Sequence, residues 1–189
     1  KTVQVITKND KELAREVIAH DTEINQMEYD IQHQCIILIA REQPLAKDLR
    51  LIMSIIKIVT ELERIADHCT VICEYTLKIK EITYSEDEAY QRHMIKMGRH
   101  VEEMFNKTLE SYKNKDAQIM HDICDYDDII DAEFEKIWQE IIDAMGQDES
   151  LVHFGPHFIM MIKYLERIAD HTTSIAKWMI YHLTGEYLT

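Results

Sequence analysis

Leu62-Glu63-Arg64-Ile65-Ala66-Asp67-His68 returns unchanged as Leu165-Glu166-Arg167-Ile168-Ala169-Asp170-His171. Seven identical residues 103 positions apart, in a chain of 189, mark an internal duplication. If each copy is helical, its Glu and Asp stand at i and i+4, about 40° apart around the axis and one turn apart along it. Like charges so placed cost an isolated helix roughly a few tenths of a kcal/mol. A helix that accepts this cost in both copies is either well solvated there or has a cation to hold.

Around the first copy, Leu45, Leu49, Ile52, Ile56, Val59, Leu62, Ile65, Cys69, Ile72 and Ile79 recur at helical spacing, which predicts a helix over 44–80 with Pro44 in its first turn. With Leu62 at zero and about 100° per residue, Ile65, Ala66, Cys69, Ile72 and Cys73 form the buried stripe. Glu63 and Asp67 fall on its shoulder, followed by Thr70 and Glu74. Arg64 and His68 point away from that shoulder, so the histidine does not share the face of the acid pair. His68 and His171 therefore read as hydrogen-bonding or partner-facing groups, and Arg64 and Arg167 as surface ion-pair residues or a partner contact.

Upstream, Leu13, Val17, Ile24, Met27, Ile31, Cys35 and Leu38 predict a helix over 10–42, after a polar turn Lys8-Asn9-Asp10 in which Asp10 can cap. Residues 1–7 are too short to stand as an independent helix. Downstream, Ser85 and Glu88 form a capping-box signature for a helix to about 113. Asn114-Lys115-Asp116 repeats the polar turn before a helix to about 145. Gly146 to Ser150 breaks the chain, and the last helix spans roughly 150–183, kinked or truly begun at Gly155-Pro156 and ended at Thr184-Gly185.

The halves overlay: Asp21-Thr22-Glu23-Ile24-Asn25 on Asp127-Asp128-Ile129-Ile130-Asp131, and residues 1–10 on 107–116. Helix 85–113 finds only its end matched by residues 1–7. The expected architecture is all-α, two tandem pseudo-symmetric three-helix bundles, 1–82 and 83–189, the first helix truncated at the N-terminus. The opening residue is Lys rather than Met, which fits a chain beginning inside a longer protein.

In antiparallel neighbours two acidic shoulders can meet. That gathers Asp21, Glu63 and Asp67 in one half and Asp127, Asp131, Glu166 and Asp170 in the other. The halves should differ, since Asn25 stands where Asp131 stands and Glu28 aligns with Phe134. Acids on helix shoulders are ordinarily solvated or paired with Lys and Arg; the exact duplication brings a cation reading level with that. Oxygen donors of this kind suit Mg, Mn, Fe, or Zn completed by water.

Composition narrows the alternatives. Four Gly and two Pro leave regular helix almost uninterrupted, and a formal charge of −14 opposes a nucleic-acid surface. Cys35, Cys69, Cys73 and Cys124 lie in apolar helical patterns and read as buried free thiols, although Cys69 and Cys73 have the spacing to share a metal. The absence of a disulfide framework favours a reducing cytoplasm. No apolar run reaches 18 residues, and no signal peptide opens the chain. Met160-Met161 reads as core.

Together with the duplicated motif and the Asp21–Asn25 and Asp127–Asp131 segments, Gln43-Pro44-Leu45-Ala46-Lys47-Asp48-Leu49-Arg50 makes the chain resemble the PhoU family of phosphate-transport-system regulators, over its whole length. The resemblance implies a cytoplasmic, often dimeric, non-enzymatic regulator. Such a protein links the ATPase of a phosphate ABC transporter to a phosphate-sensing histidine kinase and meets the membrane only through those partners. It also implies a transition-metal motif, iron or zinc above all, at Glu63, Asp67, Glu166 and Asp170, with Asp21, Asn25, Asp127 and Asp131 on the neighbouring helices. Two other functions compete: a di-iron carboxylate oxidase, which normally needs Glu-x-x-His motifs this chain lacks, and a helical adaptor that meets no metal.

Overall fold

A computed structural model describes residues 1–79 and 88–188. Seven α-helices follow one another among these residues: α1 Thr2–Lys8, α2 Lys11–Ala19, α3 Asp21–Glu42, α4 Ala46–Lys78, α5 Ala89–Asn114, α6 Ala117–Gln147 and α7 Gly155–Thr184, with a 3-10 turn at Glu149–His153 before α7. The 82/83 boundary and Ser85 of the expected capping box lie outside the described residues; α5 begins behind Glu88.

The duplication is written into the turns. Asn9 (φ 49°) ends α1 in the left-handed region, and Lys115 (φ 56°), 106 positions on, ends α5 the same way. The next residue caps the following helix in each case. Asp10 accepts from the Leu13 amide at 3.0 Å, and Asp116 Oδ1 accepts from the Gln118 and Ile119 amides at 3.1 and 3.2 Å. Each cap contributes about 1 kcal/mol. α1 is thus a short helix, seven residues against the 26 of α5, in the place expected for the end of a truncated first helix.

Three further expectations shift. The helix predicted over 10–42 is broken at His20, because its Nδ1–H donates to the Glu16 carbonyl at 2.7 Å while its backbone N–H turns to Val17 O. The imidazole competes for the carbonyl that an unbroken helix would use. Pro44 is not in the first turn of α4: Gln43 closes α3 at φ 46° and the extended Leu45 caps α4. Gly155-Pro156 is a true helix start, with the proline where no N–H is needed. Gly185, at φ 87°, caps α7 as expected, and a Cβ there would run into the Arg50 guanidinium.

α4 and α7 run through the centre, one from each repeat. Ile58, Ile65, Ile72 and Ile79 recur every seven residues, as do Ile123, Ile130 and Ile137 on α6. That period keeps one seam facing a neighbour crossed at a shallow angle. Met94, Met97, Val101 and Met104 of α5 and Phe158, Met161, Leu165 and Ala169 of α7 complete the core. Met161 is core as anticipated, whereas Met160 is half-buried. The stripe predicted on α3 is mostly open: Met27, Ile31 and Leu38 are exposed and Cys35 alone is buried. α3 lies along α4 with only the end of α2 beside it, whereas α6 is flanked by both α5 and α7. Periodicity marks an apolar face without saying what covers it.

Gly98 sits mid-helix in α5, where a Cβ would meet Val3, Ile6 and Leu165 at 3.8–3.9 Å, ordinary contact distances. Gly98→Ala is therefore expected to stabilise the fold by about 0.5–1 kcal/mol, through lower unfolded-state entropy. Urea denaturation checks it; a lower midpoint would mean that α5 sits closer to α7 than this geometry allows.

Candidate metal centres

In the first repeat, α3 and α4 bring their acidic shoulders face to face. Asp21 Oδ1 accepts from Thr70 Oγ1 at 3.2 Å, and Asn25 Nδ2 reaches Asp21 Oδ2 at 3.5 Å. Burial and then the charges of Asp67, Glu28 and Asp21 raise the Glu63 carboxyl above its ordinary value. Asp67 is raised by burial and then by Asp21, to which it is also hydrogen-bonded. The expected trio of Asp21, Glu63 and Asp67 is brought together. The fourth acid is Glu28, whose charge acts on both Glu63 and Asp67 and whose Oε1 accepts from Thr60 and Gln32 at 2.8 and 2.7 Å. Asn25 is exposed and steadies Asp21. The sequence signal for Glu28 was its place seven residues after Asp21 on one helix face.

In the second repeat Asp127 of α6 is pushed up to about 6, by burial first and then by Asp170 and Asp131. Thr173, the counterpart of Thr70, lies beside it and offsets part of the shift. Even so, Asp127 Oδ1 and Thr173 Oγ1 are both buried with no hydrogen-bond partner. Asp170 is raised by burial, Glu166 and Asp131, and lowered by Lys163 and His171. Asp131, Phe134, Lys163 and Glu166 line an open cleft of about 420 Å³. All four acids expected here thus share one neighbourhood.

The halves differ in a way the alignment of acids does not reveal. Lys163 Nζ lies 2.6 Å from Glu166 Oε2 and 5.2 Å from the centre of the Phe134 ring. In the first repeat those positions are Thr60 and Glu28, hydrogen-bonded to each other. The second repeat therefore sets a lysine against a phenylalanine where the first sets a threonine against an acid.

The donor chemistry suits an oxygen-preferring cation, and the buried, partnerless Asp127 Oδ1 is the kind of atom that such a cation would satisfy. As they stand, however, no three His, Cys, Asp or Glu side chains among the described residues are gathered closely enough to hold a metal ion. The cysteines offer no alternative. Cys73 is pushed up to about 12 by burial and Cys69 is raised for the same reason, so both stay protonated thiols. Cys69 and Cys124 are half-buried rather than fully buried.

The duplicated histidines meet across the seam between α4 and α7. His68 Nε2 is 3.2 Å from His171 Nε2, and His171 Nδ1 is 2.6 Å from Glu61 Oε2. Burial first, then the positive charge of His171, Arg167 and Arg64, pushes His68 down to about 4. The hydrogen-bonding role read for the histidines holds. The ion-pair role read for Arg64 and Arg167 does not: both are exposed and neither forms a salt bridge among the described residues. Each flanks the histidine pair instead.

Two helical repeats, each setting a Glu-x-x-x-Asp pair on its last helix against acids on the helix before it, define a duplicated all-α carboxylate bundle. No helix among the described residues is long and apolar enough to cross a membrane. The chain belongs to the PhoU family: the sequence model of the PhoU domain matches residues 1–76 and again 94–179. A phosphate-specific transport system accessory protein PhoU homolog from Clostridium acetobutylicum is 33% identical over 185 residues, covering 97% of this chain and 83% of the relative. The crystal structure of PhoU from Pseudomonas aeruginosa superposes with a TM-score of 0.89 at 32% identity, over 98% of this chain and 88% of that one. That of the phosphate transport system regulatory protein PhoU from Streptococcus pneumoniae gives 0.89 at 30% identity, over 100% and 87%.

Proposed function

We propose that the protein is a cytoplasmic, metal-binding, non-enzymatic regulator of phosphate uptake. It works as a homodimer that couples the ATPase subunit of a phosphate ABC transporter to a phosphate-sensing histidine kinase and damps the response to phosphate starvation. Full-length similarity to accessory proteins of the phosphate-specific transport system carries the regulatory part. The facing acids of both repeats, each raising the proton affinity of its neighbours, carry the metal part.

Asp21, Glu28, Glu63 and Asp67 would hold the cation in the first repeat, with Asn25 steadying Asp21; Asp127, Asp131, Glu166 and Asp170 would hold it in the second. Ligation requires rotation of these side chains, since none of the groups is closed around an ion. A bound iron, zinc or manganese ion would replace repulsion between α3 and α4, and between α6 and α7, by shared attraction. That would fix the outer helix faces on which partners dock. The internal ammonium of Lys163 is the observation that favours a metal-free adaptor as the second reading.

Deleting the protein should raise expression of phosphate-uptake genes in phosphate-rich medium; unchanged expression removes the regulatory role. For the metal, Asp67→Ala combined with Asp170→Ala should lower the metal content of protein purified without chelating resin, while far-ultraviolet circular dichroism stays near wild type. Equal metal content in the double variant would leave the adaptor reading standing.

A further inference from the structure

We propose that His68 and His171 form a metal site of a different kind, a two-imidazole clamp for Zn(II) or a similar borderline cation across the seam between the repeats. Two nitrogens bound to one tetrahedral zinc at about 2.0–2.1 Å stand about 3.3–3.4 Å apart. The two Nε2 atoms are already 3.2 Å apart. An ion entering between them displaces the rings by only a few tenths of an ångström.

The proton positions support ligation. Glu61 can only accept, so at 2.6 Å a proton of the His171 ring sits on Nδ1; in the neutral ring, the form that ligates, Nε2 then keeps its lone pair aimed at His68. A carboxylate behind the far nitrogen is how proteins orient a metal-bound histidine and raise its basicity. In the metal-free pair, His68 donates its Nε2–H to that lone pair. Moving this one proton to His68 Nδ1, which has no protein partner among the described residues, lets two lone pairs converge. Arg64 and Arg167 flank the pair. The same arginines oppose a dication; Glu61 supplies a nearby negative charge, and both guanidinium groups are exposed enough to swing away.

The clamp is distinct from the carboxylate centres in donor type and place. Imidazole selects Zn, Ni or Cu over the hard cations that carboxylates prefer. His68 lies about 100° around α4 from Asp67. The two rings occupy equivalent positions of the duplicated motif, but their supports have diverged. Glu61 holds His171, whereas its counterpart Tyr164 rests against the His68 ring at 5.2 Å. Two coordination positions remain for water or for a ligand from outside, and His171 is 15% exposed. Because one ligand comes from α4 and the other from α7, an ion here staples the repeats together.

The proposal does not rest on the carboxylate centres, and it is tested with them muted. Chelator-stripped protein carrying Asp67→Asn and Asp170→Asn is titrated with Zn(II) at pH 7.5 by calorimetry, and with Co(II) by visible absorption. One ion per chain is expected. His68→Gln and His171→Gln should each weaken binding at least tenfold, and Glu61→Gln by roughly tenfold. Should a glutamine variant fail to fold, the Co(II)-loaded protein with both histidines intact should still show paramagnetically shifted imidazole N–H protons from two rings. No binding by that protein, binding indifferent to both histidines, or the absence of shifted imidazole signals would overturn the clamp.

Discussion

Asp127→Asn is expected to stabilise the metal-free protein at pH 7.5 by about 2–3 kcal/mol, and to leave it unchanged near pH 4. The Asp127 carboxyl is pushed up to about 6 from its ordinary 3.8, by burial and then by Asp170 and Asp131. A raised carboxyl pKa means that the folded chain binds the proton more tightly than the unfolded chain. The benefit is complete below the unfolded value and is lost as pH rises through about 6. Above that, the ionised group costs an amount set by the shift, at about 1.4 kcal/mol per pH unit. Asparagine imitates the protonated acid at every pH, so it should escape the cost. Glu63, Asp67 and Asp170 are raised as well and tilt the parent's pH profile the same way. Urea titrations in chelator at pH 4, 5.5 and 7.5 provide the check. A variant no more stable than the parent at pH 7.5 would mean that Asp127 is hydrated in solution, and the argument for a cation beside it would weaken with it.

The α4 and α7 motifs could be read because duplication and helical period are properties of the chain itself. Asp10 was legible as a cap, and Asp116 as part of the turn that echoes it, for the same reason: a side chain bonding an amide two or three residues on is a local event. The facing of Asp21 with Glu63 and Asp67 followed from short turns that force antiparallel neighbours. What escaped was set at long range. The open stripe of α3 depends on how many helices flank it, which no period encodes. His68 was placed off the acidic face correctly, yet its meeting with His171 depends on how one repeat packs against the other. The break at His20 is an imidazole capturing a carbonyl, a local competition that the apolar pattern continues straight through. Lys163 escaped because overlaying acids on acids ignores which of their neighbours has become a base.

That change at Lys163 yields the second large effect. Lys163→Met should destabilise the metal-free protein by about 1–2 kcal/mol at pH 7.5, and should make it respond more strongly than the parent to added Mn(II). The ammonium lies 2.6 Å from Glu166, in a pair whose acid is 15% exposed and whose base is 35% exposed. Such a pair falls between a surface bridge, worth up to about 1 kcal/mol, and a buried one, whose breaking costs about 3–5 kcal/mol. Methionine keeps a flexible apolar stem beside Phe134 and deletes the charge, with its bonds to Glu166 and its place over the Phe134 ring. Glu166 and Asp170 are then left facing each other and Asp131 with no internal cation, which approaches the situation of Glu63 and Asp67 beside Glu28 and Asp21. A cation that binds only the folded chain stabilises it by RT ln(1 + c/Kd) at free concentration c, and so by more the more tightly it binds. The rise in Tm on adding Mn(II) should therefore be larger for the variant, and its excess should vanish when Asp170→Asn is added. Equal shifts in parent and variant would mean that Lys163 is a solvated neighbour of Glu166 and that the repeats differ in sequence without differing in their appetite for a cation.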